Sequence, residues 1–148
     1  MYEKKDPHDW KYAKEDMEEE VETYEKLNSL DSPHVIKMYE YVEDAEKIFA
    51  DGSKIDIAYM VLEYIPRAEV FYYLAGNFFN DDVCRYLFLQ MLDAVEFLHN
   101  NNISHRDLKP ENLLFDDEWK IRVIDFNFSA PTRGRDGKGM LTTFMGST

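Results

Sequence analysis

The sequence predicts an α+β fold, on three observations. Residues 10–30 set Met17, Val21, Tyr24 and Leu27 on one helical face and a heavily acidic row on the other. Residues 34–41 (HVIKMYEY) and 55–64 (IDIAYMVLEY) are rich in β-branched and aromatic side chains, around a polar connection that contains Asp51-Gly52. After Asn80, apolar residues return at helical spacing in Val83, Leu87, Met91, Ala94, Val95 and Leu98.

The elements follow in order from local chemistry. The first helix comes after Asp6-Pro7, and Pro33 blocks its continuation. The two β-rich segments form strands joined by a turn at Asp51-Gly52, and Pro66 ends the second. Residues 70–75 form a short helix before Gly76. Asn80 is suited to cap the long helix, because its side-chain oxygen can accept from the first unpaired amides, and Asp81 and Asp82 favour the positive end of the helix dipole. A hairpin around residues 116–119 leads into a strand over 120–124. From Ala130 onward, RGRDGKG carries too much glycine and charge to be core.

Composition narrows the function. The 148 residues are 45% hydrophobic and 15% aromatic, enough for one core. Thirty acids against seventeen bases give a formal charge of −13. That balance disfavours nucleic acid and anionic membrane surfaces and favours a basic peptide or a metal-bound anion. The lone Cys84 excludes an internal disulfide and a zinc knuckle, which fits a cytoplasmic or nuclear setting. No apolar run is long enough to span a bilayer, and the expectation is a soluble protein.

The densest chemistry lies in ISHRDLKPENLLF, residues 103–115, which crowds His105, Arg106, Asp107, Lys109, Glu111 and Asn112 between apolar residues. HRDLKPEN, followed by an Asp125-Phe126 pair, resembles the catalytic loop and metal-binding motif of eukaryotic protein kinases, in the lysine-bearing form of the serine/threonine enzymes. The resemblance implies a partial protein-kinase-like fold, ATP and Mg2+ as cofactors, and a protein or peptide substrate. It also implies that Asp107 orients the substrate hydroxyl, Lys109 contacts the moving phosphate, and Asn112 with Asp125 holds magnesium. His105 and Phe126 are read as packing residues under the site.

The same resemblance extends upstream. MVLEYIPRAEVF is similar to the family's hinge, with Leu62 as gatekeeper, the backbone of Glu63 and Ile65 on the adenine edge, Glu69 near the ribose, and Leu114 as the floor under the ring. The first helix resembles the family's helix C, with Glu20 as the residue that pairs with an ATP-contacting lysine, although counting back from SPHVIK lands on Thr23. Glu18, Glu19 and Glu22 are read as a solvated face. Thr142 or Thr143 would be phosphorylated and pair with Arg106, and APTRGRDGKG is closest in style to calcium/calmodulin-dependent-like kinases.

The 148 residues contain no GxGxxG, and Asn127 stands where the family has glycine. The expectation is therefore a kinase domain incomplete at both ends, with the ATP-contacting lysine just before Met1. Residues 1–65 would hold the first lobe and hinge, 66–124 the start of the second lobe, and 125–148 a truncated activation segment. The alternatives are a pseudokinase-like binding module that serves a regulatory partner, or a non-functional product.

Overall fold

The computed structural model describes residues 2–3 and 7–134, which form two small antiparallel sheets and three helices. Strand β1 (Tyr2–Glu3) leads into helix α1 (Pro7–Ser29). Pro7 suits the opening of a helix because the first amides have no intrahelical acceptor. Met17, Val21, Tyr24 and Leu27 are all buried, as their spacing predicts, and Glu18, Glu19 and Glu22 are exposed. The helix ends at Ser29, before Pro33 can act, and Asp31 turns the chain at φ 46°. Asn28 then fastens α1 to the next strand, donating to the Met38 carbonyl at 2.6 Å and accepting from the Met38 amide at 3.2 Å.

The strand boundaries differ from the expectation. β2 runs Met38–Ile48 and β3 runs Lys54–Leu62, paired antiparallel with irregularities at Met38/Glu40 and Val42/Ala45. Residues 34–36 do not join this hairpin. They lie along a later strand, where the Val123 amide donates to the His34 carbonyl at 2.7 Å. The polar run VEDAEK, read as connection, is strand: its residues are half-buried or exposed and none is fully buried, so no alternation of apolar residues marked it. The turn sits where Asp51-Gly52 placed it, with Gly52 at φ 83°, a backbone region that side chains resist. β1 pairs with β3, Tyr2 opposite Ala58, giving the order β1-β3-β2.

Helix α2 (Val70–Ala75) and helix α3 (Asp81–Asn100) follow. Asn80 caps α3 by accepting from the Val83 amide at 2.9 Å. Leu87, Ala94 and Leu98 are buried, Met91 packs beside them, and Val83 is exposed. No helix among the described residues is long and apolar enough to cross a membrane. A 3-10 turn (Pro110–Asn112) leads into β4 (Leu113–Phe115), which pairs with β5 (Ile121–Val123). Gln90 of α3 accepts from the Ile121 amide at 3.0 Å, holding the hairpin on the helix. One core runs from Met17 and Tyr24 through Val35 and Ala58 to Leu98, Phe115 and Phe126.

Candidate active site

The loop between α3 and β4 and the residues just after β5 are brought together by their backbones. The Ser104 amide donates to the Ala130 carbonyl at 2.7 Å, the return bond from the Ala130 amide is 2.9 Å, and the Ile124 amide donates to the Asn112 carbonyl at 3.0 Å. Arg106 adds a bond from Nε to the Phe128 carbonyl. The two strips are thus zipped side by side, although about twenty residues separate them in sequence.

His105 sits under this junction. It is buried, its ring centroid is 5.0 Å from that of Phe126, and its Nε2 lies 2.9 Å from the Ile124 carbonyl. Its Nδ1 accepts from the Asp107 amide at 3.3 Å. Those partners assign the proton to Nε2. Burial lowers the imidazole's pKa, so the ring is neutral. His105 and Phe126 are packing residues, and the ring also ties the two motifs together.

Above the ring, Asp107 is buried. Its Oδ2 accepts from Lys109 Nζ at 2.7 Å and from Asn112 Nδ2 at 3.2 Å, and Asn112 Nδ2 also reaches the Asp107 carbonyl at 3.0 Å. The bond to Asp107 raises the Lys109 pKa, keeping the amine charged. Asp125 lies near enough for its charge to act on Glu20, Tyr24, His105 and Lys109. Asp125 and Arg106 have left-handed backbones, φ 66° and 68°, where non-glycine residues are uncommon and cluster at functional sites. Asn127 is not in that region, so the turn places its positive φ on the aspartate and not on the position where glycine was expected.

Glu20 is buried and accepts from the Phe126 amide at 3.3 Å. Burial, then the nearby Asp125 charge, pushes its carboxyl up from 4.5 to about 7. No ion pair to Glu20 exists among the described residues, where a lysine was expected. Thr23, the competing position, faces elsewhere, its hydroxyl 3.0 Å from that of Ser129.

The remaining expected residues fall around this centre. Leu62 ends β3 and packs with Ile65 on the core. The Glu63 amide donates to the Lys37 carbonyl at 2.7 Å, so its carbonyl is the group left to meet a ligand's donor. Glu69 is exposed just before α2 and forms a backbone bridge with Leu114, so the ribose and ring-floor candidates are neighbours. Thr142 and Thr143, and any bond from them to Arg106, lie outside the described residues.

Three contacts were not legible from the motifs. The Glu63 carboxylate accepts from Arg122 at 2.8 Å, mostly buried, tying the 62–65 strip to β5. Arg67, where the family has a small residue, stacks its guanidinium 4.2 Å from the Trp119 ring centre and donates to the Asp116 carbonyl at 3.1 Å. Tyr24 packs edge-on against Phe126 at 5.2 Å. Its place one turn after Glu20 on the same face was the available signal for that last contact.

Magnesium prefers oxygen donors and usually keeps substrate phosphates and water in its shell. Asp125 Oδ1 is buried without a hydrogen-bond partner, and Asn112, whose amide nitrogen is engaged, would present its oxygen. Among the described residues no cluster of three or more His, Cys, Asp or Glu could hold a metal alone. That set suits a cation shared with a bound anion.

The sequence profile of the protein kinase domain matches residues 2–148. The chain belongs to the protein kinase family. It is 36% identical over 119 residues, 80% of its length, to maternal embryonic leucine zipper kinase of Danio rerio, covering 16% of that protein. It is 38% identical over 104 residues, 70% of its length, to the SNF1-related protein kinase catalytic subunit alpha KIN12 of Arabidopsis thaliana, covering 19%. Against CBL-interacting serine/threonine-protein kinase 15 of the same plant it is 34% identical over 121 residues, 82% of its length and 26% of the relative's. The chain thus spans about a sixth to a quarter of these relatives, within a protein-kinase-like fold.

Proposed function

We propose that this chain forms the nucleotide- and magnesium-binding part of a serine/threonine protein kinase, which transfers the γ-phosphoryl group of ATP to a protein Ser or Thr hydroxyl. The observation that carries this reading is the convergence of Asp107, Lys109, Asn112 and Asp125 above the His105 ring. Phosphoryl transfer depends mainly on positioning and charge neutralisation. Asp107, fixed by Asn112 and its own backbone, accepts the hydroxyl proton. Lys109 places positive charge near the transferred group. Asp125 and Asn112 hold magnesium, which neutralises developing charge on the phosphates. Leu62, Glu63 and Ile65 receive the adenine edge, Leu114 lies beneath it, and Glu69 meets the ribose.

The 148-residue chain by itself binds nucleotide weakly and does not turn over. It carries no glycine-rich loop, and Glu20 has no lysine partner among the described residues. Loss of such preorganised contacts costs about 10² to 10³ in rate for each group. The acidic surface suits basic peptide substrates and a regulatory partner, and an exposed, unpaired Cys84 suits the reducing cytoplasm or nucleus. A binding module without catalysis is the second reading, favoured by the absence of a lysine partner to Glu20 among the described residues.

The test is thermal stabilisation by ATP with and without magnesium, followed by phosphate transfer to a basic peptide. A magnesium-dependent shift that disappears in Asp125→Ala and survives in Asp107→Asn supports the first reading. No nucleotide response in any condition removes it.

A further inference from the structure

Helix α2 and the turn between β4 and β5 carry a row of aromatic rings at the surface. Tyr72 stacks on Phe78 with centroids 6.2 Å apart and 25° between planes, Tyr73 meets Tyr72 edge-on at 5.5 Å, and Trp119 meets Tyr73 edge-on at 5.6 Å. Tyr72 is 60% exposed, Phe78 64% and Trp119 44%. Single apolar side chains at a surface are ordinary, whereas a contiguous run marks an interaction site. These rings are also held in place. Asn77, at φ 54°, bends the chain after α2, the Phe78 amide donates to the Tyr73 carbonyl at 3.0 Å, and the Phe78 ring folds over Gly76, where a Cβ would lie 2.1 Å from it. Trp119 stands at φ 61°, an outlier for so bulky a residue, and the Arg67 guanidinium covers one face of its ring.

The polar groups of the row include two donors. The Tyr72 hydroxyl and the Trp119 indole N–H bond to no group among the described residues. Asp81 follows Phe78 by three residues and Asp117 precedes Trp119 by two; both are exposed, and neither is in an ion pair among the described residues. The Arg67 charge is engaged, since its guanidinium also donates to the Asp116 and Asp117 carbonyls at 3.1 and 3.3 Å.

We propose that this row docks a proline-rich segment of a partner protein, with an arginine beside its prolines. A polyproline II segment makes no internal hydrogen bonds, so its carbonyls need donors, and its proline rings pack on flat aromatic faces at low entropic cost. The row supplies both the donors and the faces. An amphipathic helix satisfies its own carbonyls and would leave the Tyr72 and Trp119 donors unused. The flanking carboxylates of Asp81 and Asp117, on a chain of formal charge −13, favour a cationic residue next to the prolines. The site uses none of the residues assigned to nucleotide or magnesium, so it stands or falls apart from the kinase reading.

The peptide Ac-Arg-Pro-Pro-Ala-Pro-Pro-Ala-Pro-NH2, titrated into the 15N-labelled 148-residue chain, tests it. The expected result is saturable shifts of the Tyr72 and Phe78 amides and of the Trp119 indole N–H. Replacing every proline of the peptide by alanine removes the response, and glutamate in place of its arginine weakens binding about fivefold. Tyr72→Ala and Trp119→Gly each weaken it about tenfold. Glycine suits the left-handed backbone at Trp119, so the second variant deletes the ring without forcing the turn. An equal response to the alanine peptide, no saturable shift at those three protons, or indifference to both variants overturns the proposal. Shifts at the same protons that grow with the chain's own concentration, with no peptide added, also overturn it, by giving the face to a second copy.

Discussion

The Phe126 amide donates to Glu20 Oε1 at 3.3 Å, joining two residues 106 positions apart in sequence. Through this bond α1 is held to the strip that carries Asp125, and the carboxylate that makes it is buried beside another carboxylate. The contact is therefore sensitive to protonation.

Glu20 makes stability fall with rising pH. Its carboxyl is held at about 7 in the folded chain against 4.5 ordinarily, so between those values the folded state keeps a proton that the unfolded state has released. The contribution is full below 4.5 and lost by about 7. Its size is at most about 3 kcal/mol. Urea denaturation from pH 4.5 to 8 should show Glu20→Gln flatter than the parent and more stable at pH 8. Parallel profiles for the two proteins would sink the assignment.

Asp125→Asn should stabilise the metal-free chain and weaken the magnesium-nucleotide complex. The substitution removes the charge from a buried oxygen that has no partner and that repels Glu20. Tm without metal should rise by about 3 °C, while the further rise on adding Mg-ATP shrinks relative to the parent. A drop in Tm without metal would show that the carboxylate is satisfied in some other way.

The Glu63–Arg122 pair should be costly to break and cheap to replace. Glu63→Leu leaves a mostly buried guanidinium whose Nε already has no partner, at about 3 kcal/mol. Adding Arg122→Leu should restore about half of that loss. A double-mutant cycle by chemical denaturation measures both, and strictly additive losses would mean that the pair is not coupled.

Arg67→Ala should cost about 1 to 2 kcal/mol, from the lost stacking on Trp119 and the bond to the Asp116 carbonyl. Arg67→Lys should recover only part, since an ammonium cannot stack as a plane. Equal stability of all three proteins in urea would show that the stack contributes nothing.

What could be read in the sequence was what local spacing encodes. Tyr24 and Leu27, or Leu87 and Leu98, are placed by helical period alone, and 103–115 is a contiguous motif whose groups need only a short loop to meet. The continuation of β2 beyond Tyr41 escaped because Glu43, Asp44 and Glu46 line a strand with little apolar face. His34 was assigned to the hairpin because its bond to Val123 is a long-range choice that no window contains. The tie from Arg67 to the β4–β5 turn was invisible for the same reason. Asn127 was judged by a family turn, whereas the backbone puts the strained angles on Asp125.

The His105 ring offers a built-in reporter. Because one imidazole nitrogen faces the Ile124 carbonyl and the other the Asp107 amide, its Nε2 proton is shielded from solvent and should give a slowly exchanging NMR resonance. That single signal would register any parting of the catalytic loop from the metal-binding strip, before a dye or substrate is ever added.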